Sequence, residues 1–156
     1  MGQKTLVTPV GALTLSSNGR AITRVAWSRS DEEAENIQSD PILEAAASEI
    51  ERYFAGSLTR FQTPVHLEGS PLQLGVWEAM RAIPFGQVLT YGDVARAVGS
   101  KPQAVGTACG QNPIPVIVPC HRVVGAGGKL TGFSGGNGIE TKAFLLDLES
   151  GQGRLL

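Results

Sequence analysis

The side chains in this chain best suited to chemistry are Cys120 and His121, which are adjacent in the run Val118-Pro119-Cys120-His121-Arg122-Val123. A cysteine attacks as its thiolate, and a neighbouring base or positive field makes it reactive by lowering the thiol pKa. Neighbours in an extended strand point to opposite sides, so a working pair needs a turn or short helix beginning at Pro119, whose free amides would also stabilise a thiolate. The run therefore indicates a nucleophile. It fits equally a small buried cysteine beside a hydrogen-bonded core histidine.

Four other side chains could assist this pair. Asp147 or Glu149 could orient His121, as a carboxylate does in nucleophile-base-acid relays. Tyr91 could donate a proton, and Asn112 could hold a turn, since Asn side chains readily bond nearby backbone. Taken singly, each also has an ordinary interpretation as a solvated carboxylate, a packed aromatic or a turn residue.

The cysteines and histidines are too few and too scattered for a metal or disulfide framework. Cys109, Cys120, His66 and His121 show no Cys-x-x-Cys or His-x-x-x-His spacing, so a structural zinc site or other metal site is not expected. Two cysteines indicate free thiols in a reducing compartment. Cys109 has no base beside it, and we expect it to pack in the core.

Composition and charge limit the partners. The chain has no apolar run of about 20 residues and no basic N-terminal segment, so we expect a cytoplasmic protein that does not bind membranes. Residues 1–69 carry six Lys/Arg against nine Asp/Glu, whereas residues 70–156 carry seven against five. This mildly basic second half permits nucleic-acid binding without requiring it.

The first third of the sequence predicts a β-meander followed by a helix. Short β-favouring runs occur at 5–8, 12–15 and 22–27, with a hairpin turn suggested by Asn18-Gly19. Ser39-Asp40-Pro41 predicts a helix that ends at Gly56 and buries one face on the meander. The acidic residues 31–35 are expected to form a loop, and the breaker-rich residues 63–69 a linker.

The remainder is predicted to be mainly helical. A helix begins at Ser70-Pro71; two short helices then cover 90–98 and 102–109, joined at Gly99. Paired short helices of this kind are typical of a helix-turn-helix, although they also occur as pure scaffolding.

Beyond these helices, the glycine-flanked Lys129-Leu130-Thr131 predicts a hairpin or wing, and a final helix covers 139–149. The fold class is therefore α+β: a small β-meander plus helix domain, then a helical domain with a helix-turn-helix and wing.

These motifs together resemble one known family. Tyr91, Asn112-Pro113, the run Ile117–Val124 around Pro-Cys-His-Arg, and Phe133-Ser134-Gly135-Gly136 are similar to the O6-alkylguanine-DNA alkyltransferases, also called methylated-DNA–protein-cysteine methyltransferases. The similarity covers about residues 70–149. It implies a ribonuclease-H-like domain over 1–66 and a winged helix-turn-helix alkyltransferase domain over 67–156.

The resemblance implies a role for each matching residue in the transfer. Cys120 matches the alkyl acceptor, His121 the group that takes the thiol proton through a water, and Glu149 the carboxylate that orients this histidine. Asn112 matches the hinge that supports the active-site turn, and Tyr91 the hydroxyl that protonates guanine N3. The implied reaction is a stoichiometric, self-inactivating repair without a cofactor.

The resemblance also implies how DNA is bound. The partner is double-stranded DNA containing O6-alkylguanine, and the helix-turn-helix enters its minor groove. The damaged base is flipped out of the duplex, because O6 lies inside it. We expect a monomer in solution. The residues matching base or pocket contacts are Val123, Ser134, Pro115 and Gly135; those matching DNA contacts are Gln103, Ala104, Arg122, Thr90 and Tyr91.

Two positions depart from the family pattern, and two other functions stay open. The family usually has an arginine where this chain has Gln103, which predicts weaker DNA affinity, and Phe133 stands where a tyrosine is common. One alternative is a sensor that binds alkylated guanine with little repair, although such relatives lack the acceptor cysteine. The other is a cysteine hydrolase or acyltransferase that turns over with Cys120 and His121.

Overall fold

The structure, a computed structural model, describes residues 2–28, 39–133 and 135–151. The chain forms two compact units, Met1–Leu67 and Glu68–Leu156. The predicted acidic loop at 31–35 and the predicted base contact Ser134 lie outside the described residues.

The first unit contains the predicted meander. Strands β1 (Gly2–Thr8), β2 (Gly11–Ser17) and β3 (Ile22–Trp27) form an antiparallel sheet in that order. The β2–β3 connection is longer than a two-residue hairpin: the Asn18 side chain accepts hydrogen bonds from the amides of Arg20 and Ala21. Asn18 therefore acts by building the turn with its own side chain.

Helix α1 (Pro41–Phe54) covers the sheet of the first unit. Asp40 caps it by accepting from the amide of Leu43 at 2.8 Å. Its buried positions recur at helical spacing, which explains why one face packs on the strands. These positions are Leu43, Ala46, Ala47, Glu49, Ile50 and Tyr53.

The prediction of a linker at 63–69 is wrong for its first half. Buried Glu49 accepts from the amide and the hydroxyl of Thr63 at 3.0 and 2.5 Å. The amide of His66 donates to the carbonyl of Ile22, and Val65 bridges that residue. These bonds attach the segment to the first unit. The buried Glu49 carboxylate requires hydrogen-bond donors, and the local sequence does not indicate that Thr63 supplies them.

The second unit begins with α2 (Pro71–Arg81), whose N-terminus has a capping box formed by Ser70 and Gln73. The helix-turn-helix is confirmed as α3 (Tyr91–Val98) and α4 (Pro102–Gly110). These two helices pack against each other and against α2. Their shared core consists of Val76, Trp77, Met80, Val94 and Val105.

The turn between α3 and α4 has a clear local cause. Thr90 and Asp93 form a capping box that starts α3, and Gly99 ends it in the left-handed region with φ 71°. Only glycine enters that region without a steric cost, so a substitution there would strain the turn.

Two short strands, not anticipated from sequence, support the predicted cysteine site. β4 (Leu89–Thr90) pairs in parallel with β5 (Val123–Val124), and a 3₁₀ turn over Cys120–Arg122 leads directly into β5. The final helix α5 (Ile139–Ser150) matches its prediction.

The predicted hairpin at 129–131 is wrong in its secondary structure. Residues 125–133 contain a 3₁₀ turn at Ala126–Gly128 and otherwise irregular chain, with no strand. Gly127, Gly128 and Gly132 all have positive φ, which bends the chain too often for ladder pairing. Within the described residues, no helix is long and apolar enough to cross a membrane.

Candidate active site

The segment before the cysteine is held in shape by Asn112. Its side-chain amide donates to the carbonyl of Val118 at 2.8 Å, and its side-chain oxygen accepts from the amide of Ile114 at 2.9 Å. Within this turn, buried Val116 has φ 73°, a conformation that a β-branched residue adopts only when its surroundings force it. The turn is therefore pre-shaped by its neighbours.

Cys120 lies at the start of the 3₁₀ turn, which confirms the predicted break from extended chain. Pro119 has φ −83° and ψ 69°, and the amide of Cys120 donates to the carbonyl of Val118 at 2.8 Å, the pattern of an inverse γ-turn. Cys120 is 8% exposed as a residue, and burial raises the pKa of its thiol; a hydrogen bond from Asn112 and the charge of Lys142 oppose this shift. At neutral pH the thiol thus stays protonated and needs a base.

His121 has the properties of that base. Its ring is fully buried, and its Nε2 lies 2.7 Å from Glu149 Oε2. Burial lowers the pKa of His121 below its ordinary value, although Glu149 acts to raise it. The carboxylate can only accept, so the neutral ring carries its proton on Nε2. Its Nδ1 has no hydrogen-bond partner in the described part of the chain and keeps a free lone pair.

The prediction that Arg122 contacts DNA is wrong. Its side chain is 8% exposed and faces Glu149. Its Nε donates to Glu149 Oε1 at 2.8 Å and its Nη2 to Oε2 at 3.0 Å, while Nη1 donates to the carbonyl of Ile83 at 2.7 Å. Its guanidinium also lies 5.8 Å from the Phe85 ring. Burial with these partners leaves it unavailable to a phosphate.

Glu149 therefore joins both residues that follow the cysteine. It accepts three hydrogen bonds from His121 and Arg122, and its side chain is 1% exposed. Asp147, the other carboxylate considered, is exposed. The choice between them follows from helix geometry, because two residues along α5 turn the side chain by about 200°.

Tyr91 and Lys142 form a second group at the start of α3. The Tyr91 hydroxyl donates to the carbonyl of Thr131 at 2.9 Å, and burial raises the Tyr91 pKa. Lys142 is 1% exposed, and its Nζ donates to the carbonyls of Val123 and Thr131 at 2.6 and 2.8 Å. A third contact, at 3.4 Å, reaches the Tyr91 oxygen.

Lys142 was missed from sequence, although one signal was present. It precedes Glu149 by seven residues, which is two helical turns, so both side chains lie on the same face of α5. A lysine among apolar neighbours on a buried helical face normally has a partner or a function. Burial lowers the pKa of Lys142, with desolvation as the main cause.

The other predicted residues are placed as follows. Thr90 is half-buried and caps α3, while Gln103 is exposed near the start of α4 and Ala104 beside it is half-buried. Val123 is buried in β5, and its carbonyl is already bonded to Lys142. Pro115 and Gly135 are both half-buried.

Across residues 2–28, 39–133 and 135–151, no three His, Cys, Asp or Glu side chains are grouped as a metal ion would require. Cys109 is buried in the core with its sulfur 3.5 Å from that of Met80, and burial raises its pKa to about 12. It is an inert packing residue.

Comparisons with known proteins identify the family to which this chain is similar. A model of the 6-O-methylguanine DNA methyltransferase DNA-binding domain matches residues 71–151, and one of the ribonuclease-like domain of the same family matches residues 2–67. The methylated-DNA–protein-cysteine methyltransferase of Mycobacterium tuberculosis is 40% identical over 151 residues, covering 94% of this chain and 90% of the relative. The constitutive enzyme of that name from Bacillus subtilis is also 40% identical, over 154 residues and 93% of both chains.

A solved structure of the same family is also similar to this chain. The crystal structure of Mycobacterium tuberculosis OGT in complex with DNA matches with a TM-score of 0.84 and 40% identity, over 95% of this chain and 92% of that one. The two family models together span nearly the whole sequence, including every residue of the cysteine site. The chain therefore belongs to the 6-O-methylguanine DNA methyltransferase family.

Proposed function

We propose that this protein repairs DNA by transferring the alkyl group of O6-alkylguanine to Cys120, which restores guanine and consumes the protein in one turnover. The observation that carries this is the arrangement beside the cysteine: a buried neutral His121, oriented through Nε2 by Glu149, with Nδ1 free to accept a proton. Family membership supports the same reaction.

The first step is formation of the thiolate. Burial keeps the Cys120 thiol protonated, so its proton passes through an intervening water to His121 Nδ1. Glu149 stabilises the imidazolium that forms, and Arg122 holds that carboxylate in place. Asn112 stabilises the new thiolate and keeps the turn rigid.

The second step is displacement at the alkyl carbon. The sulfur forms a bond to this carbon in line with the breaking C–O6 bond, whose electron pair remains on guanine. Tyr91 then donates its proton to guanine N3, so the base leaves neutral. The product is a thioether, which unlike a thioester has no polarised carbonyl for water to attack. This chemistry favours an irreversible acceptor over a hydrolase.

The damaged base must be flipped out to reach this buried sulfur. We propose that α4 enters the minor groove and that exposed Gln103 fills the gap left by the extruded nucleotide, with Thr90, Tyr91 and Ala104 beside the DNA backbone. Backbone groups of Val123 and Ser134 bind the base, and Pro115 and Gly135 line the alkyl pocket.

We also propose the domain boundaries, the cellular location and the oligomeric state that the resemblance implies. Residues 1–66 form a ribonuclease-H-like domain and residues 67–156 the winged helix-turn-helix alkyltransferase domain. The protein acts in the cytoplasm as a monomer on alkylated duplex DNA. The sensor alternative is not favoured, because Cys120 is present and the named relatives are methyltransferases.

The test is intact-protein mass after incubation with O6-benzylguanine or with duplex DNA containing O6-methylguanine. We expect one stable gain of a single alkyl group, lost in Cys120→Ala and kept in the matched control Cys109→Ala. Retained DNA binding without an adduct would support the sensor. Continuous release of product without an adduct would support the hydrolase.

A further inference from the structure

One face of α2 contacts the C-terminal end of α4. Gln73, Trp77 and Met80 are separated by four and three residues, so their side chains lie on the same side of the helix. Each of them contacts one residue in the last turn of α4 or at its C-cap. In the same order, these residues are Gln111, Ala108 and Cys109. Helix α2 therefore fixes this end of α4.

The Trp77 contact is the most buried and the best directed of the three. Its Nε1 donates to the carbonyl of Ala108 at 2.9 Å, and both residues are 2% exposed. By comparison, Gln73 pairs with Gln111 near the surface, and the sulfur–sulfur contact at 3.5 Å is only packing. A buried indole N–H needs an acceptor, so this bond sets the position of the last turn of α4 relative to α2.

The last turn of α4 leads directly into the acceptor segment. The amide of Asn112 donates to the carbonyl of Cys109 at 3.3 Å, which joins this residue to the end of the helix. The Asn112 side chain donates to the carbonyl of Val118 at 2.8 Å, and the same carbonyl accepts from the amide of Cys120. Hydrogen bonds therefore connect the indole, through the end of α4, to the backbone of the acceptor.

The acceptor segment needs such an anchor because its backbone is strained. Val116 has φ 73°, although its side chain is branched at Cβ and the residue is 1% exposed. A strained conformation persists only where its surroundings enforce it. The two side-chain bonds of Asn112 do so here, and they depend on α4 to keep Asn112 in place.

We infer that Trp77 is a positioning residue for alkyl transfer: its indole N–H fixes the end of α4, and thereby Asn112 and the turn that presents Cys120. This inference rests on the proposed function. Trp77 exchanges no proton, because its indole N–H only donates a hydrogen bond. Its effect on the reaction passes through Asn112, whose hydrogen bond opposes the rise in the pKa of the Cys120 thiol.

The test is Trp77→Phe, measured as the single-turnover rate with free O6-benzylguanine, which removes DNA binding from the comparison. Phenylalanine keeps an aromatic ring in the core but has no N–H. Trp27→Phe is the matched control, because the Trp27 indole also donates to a backbone carbonyl, that of Val10 at 3.0 Å. We expect Trp77→Phe to react about tenfold more slowly. The control should stay within about twofold of the wild-type rate.

Two readouts distinguish positioning from a general loss of stability, once a urea unfolding curve has fixed the folded fraction of each variant. The loss of rate should shrink as the pH is raised, because hydroxide then forms the thiolate without help from Asn112. In an Asn112→Ala background, Trp77→Phe should change the rate by less than about threefold, since the group that the indole positions is absent.

If Trp77→Phe does not fold, the benzothienyl analogue of tryptophan replaces Trp77 in the Trp27→Phe protein, where no other tryptophan is present. This analogue has sulfur in place of the N–H and nearly the same shape. A wild-type rate, a loss that does not change with pH, or an equal loss in the Asn112→Ala background would overturn the inference. Absence of an adduct in the wild-type protein would instead refute the proposed function, so the two failures are distinguishable.

Discussion

Glu149→Gln is the substitution that tests the active site most directly. Glu149 accepts three hydrogen bonds, one from His121 at 2.7 Å and two from Arg122 at 2.8 and 3.0 Å, in a site closed to solvent. Glutamine has nearly the same shape but no charge, and its oxygen cannot satisfy all three donors. The Arg122 guanidinium is then left buried without its counter-charge.

The size of the effect follows from this loss. Removing one partner of a buried ion pair costs about 3–5 kcal/mol, so we expect the unfolding free energy of the 68–156 unit to fall by that amount. If the Gln amide turns its N–H toward His121, the ring proton moves to Nδ1, which is the wrong tautomer for a base. We therefore expect alkyl transfer to slow by roughly 10³-fold.

The assay combines urea unfolding with the single-turnover rate on O6-benzylguanine. The informative control is Arg122→Met in combination with Glu149→Gln, because the double variant removes both charges of this pair. Its loss of stability should be smaller than the sum of the single losses by about 0.5–3 kcal/mol. A Glu149→Gln protein of wild-type stability that reacts within 3-fold of the wild-type rate would refute the reasoning.

Three other predictions concern pH, the loop and DNA. Because burial lowers the pKa of His121 below 6.5, the unfolded chain takes up a proton before the folded protein does as the pH falls. The unfolding free energy should therefore decrease below pH 6.5, whereas the transfer rate should still be constant there. A transfer rate that halves above pH 6.5 would contradict the assignment of His121 as a neutral base. Gly132→Ala should slow transfer at least tenfold in the O6-benzylguanine assay, because φ is 74° and the new Cβ would lie 2.8 Å from the Tyr91 oxygen; an unchanged rate would argue against a fixed Tyr91. Gln103→Arg should tighten duplex binding and speed repair of duplex DNA, measured by titration at fixed salt, while leaving the O6-benzylguanine rate unchanged; equal duplex affinity would place Gln103 away from the DNA.

The sequence alone determined the elements whose causes are local. Capping residues, prolines and the glycine at 99 start and stop the helices of the helix-turn-helix, and alternating apolar residues define the meander. The adjacency of Cys120 and His121 and the break after Pro119 were also readable, because each depends only on neighbours along the chain.

Only the tertiary structure decided which groups surround the segment that carries the cysteine. Arg122 was predicted at the DNA surface, but a contact across 27 residues buries it on Glu149. Lys142 drew no notice in the sequence, since its hydrogen-bond partners are carbonyl oxygens 11 and 19 residues away and the Tyr91 hydroxyl. The left-handed Val116 and the β4–β5 pairing were equally hidden. Burial and charge pairing are properties of the folded surroundings, so the order of residues along the chain does not reveal them.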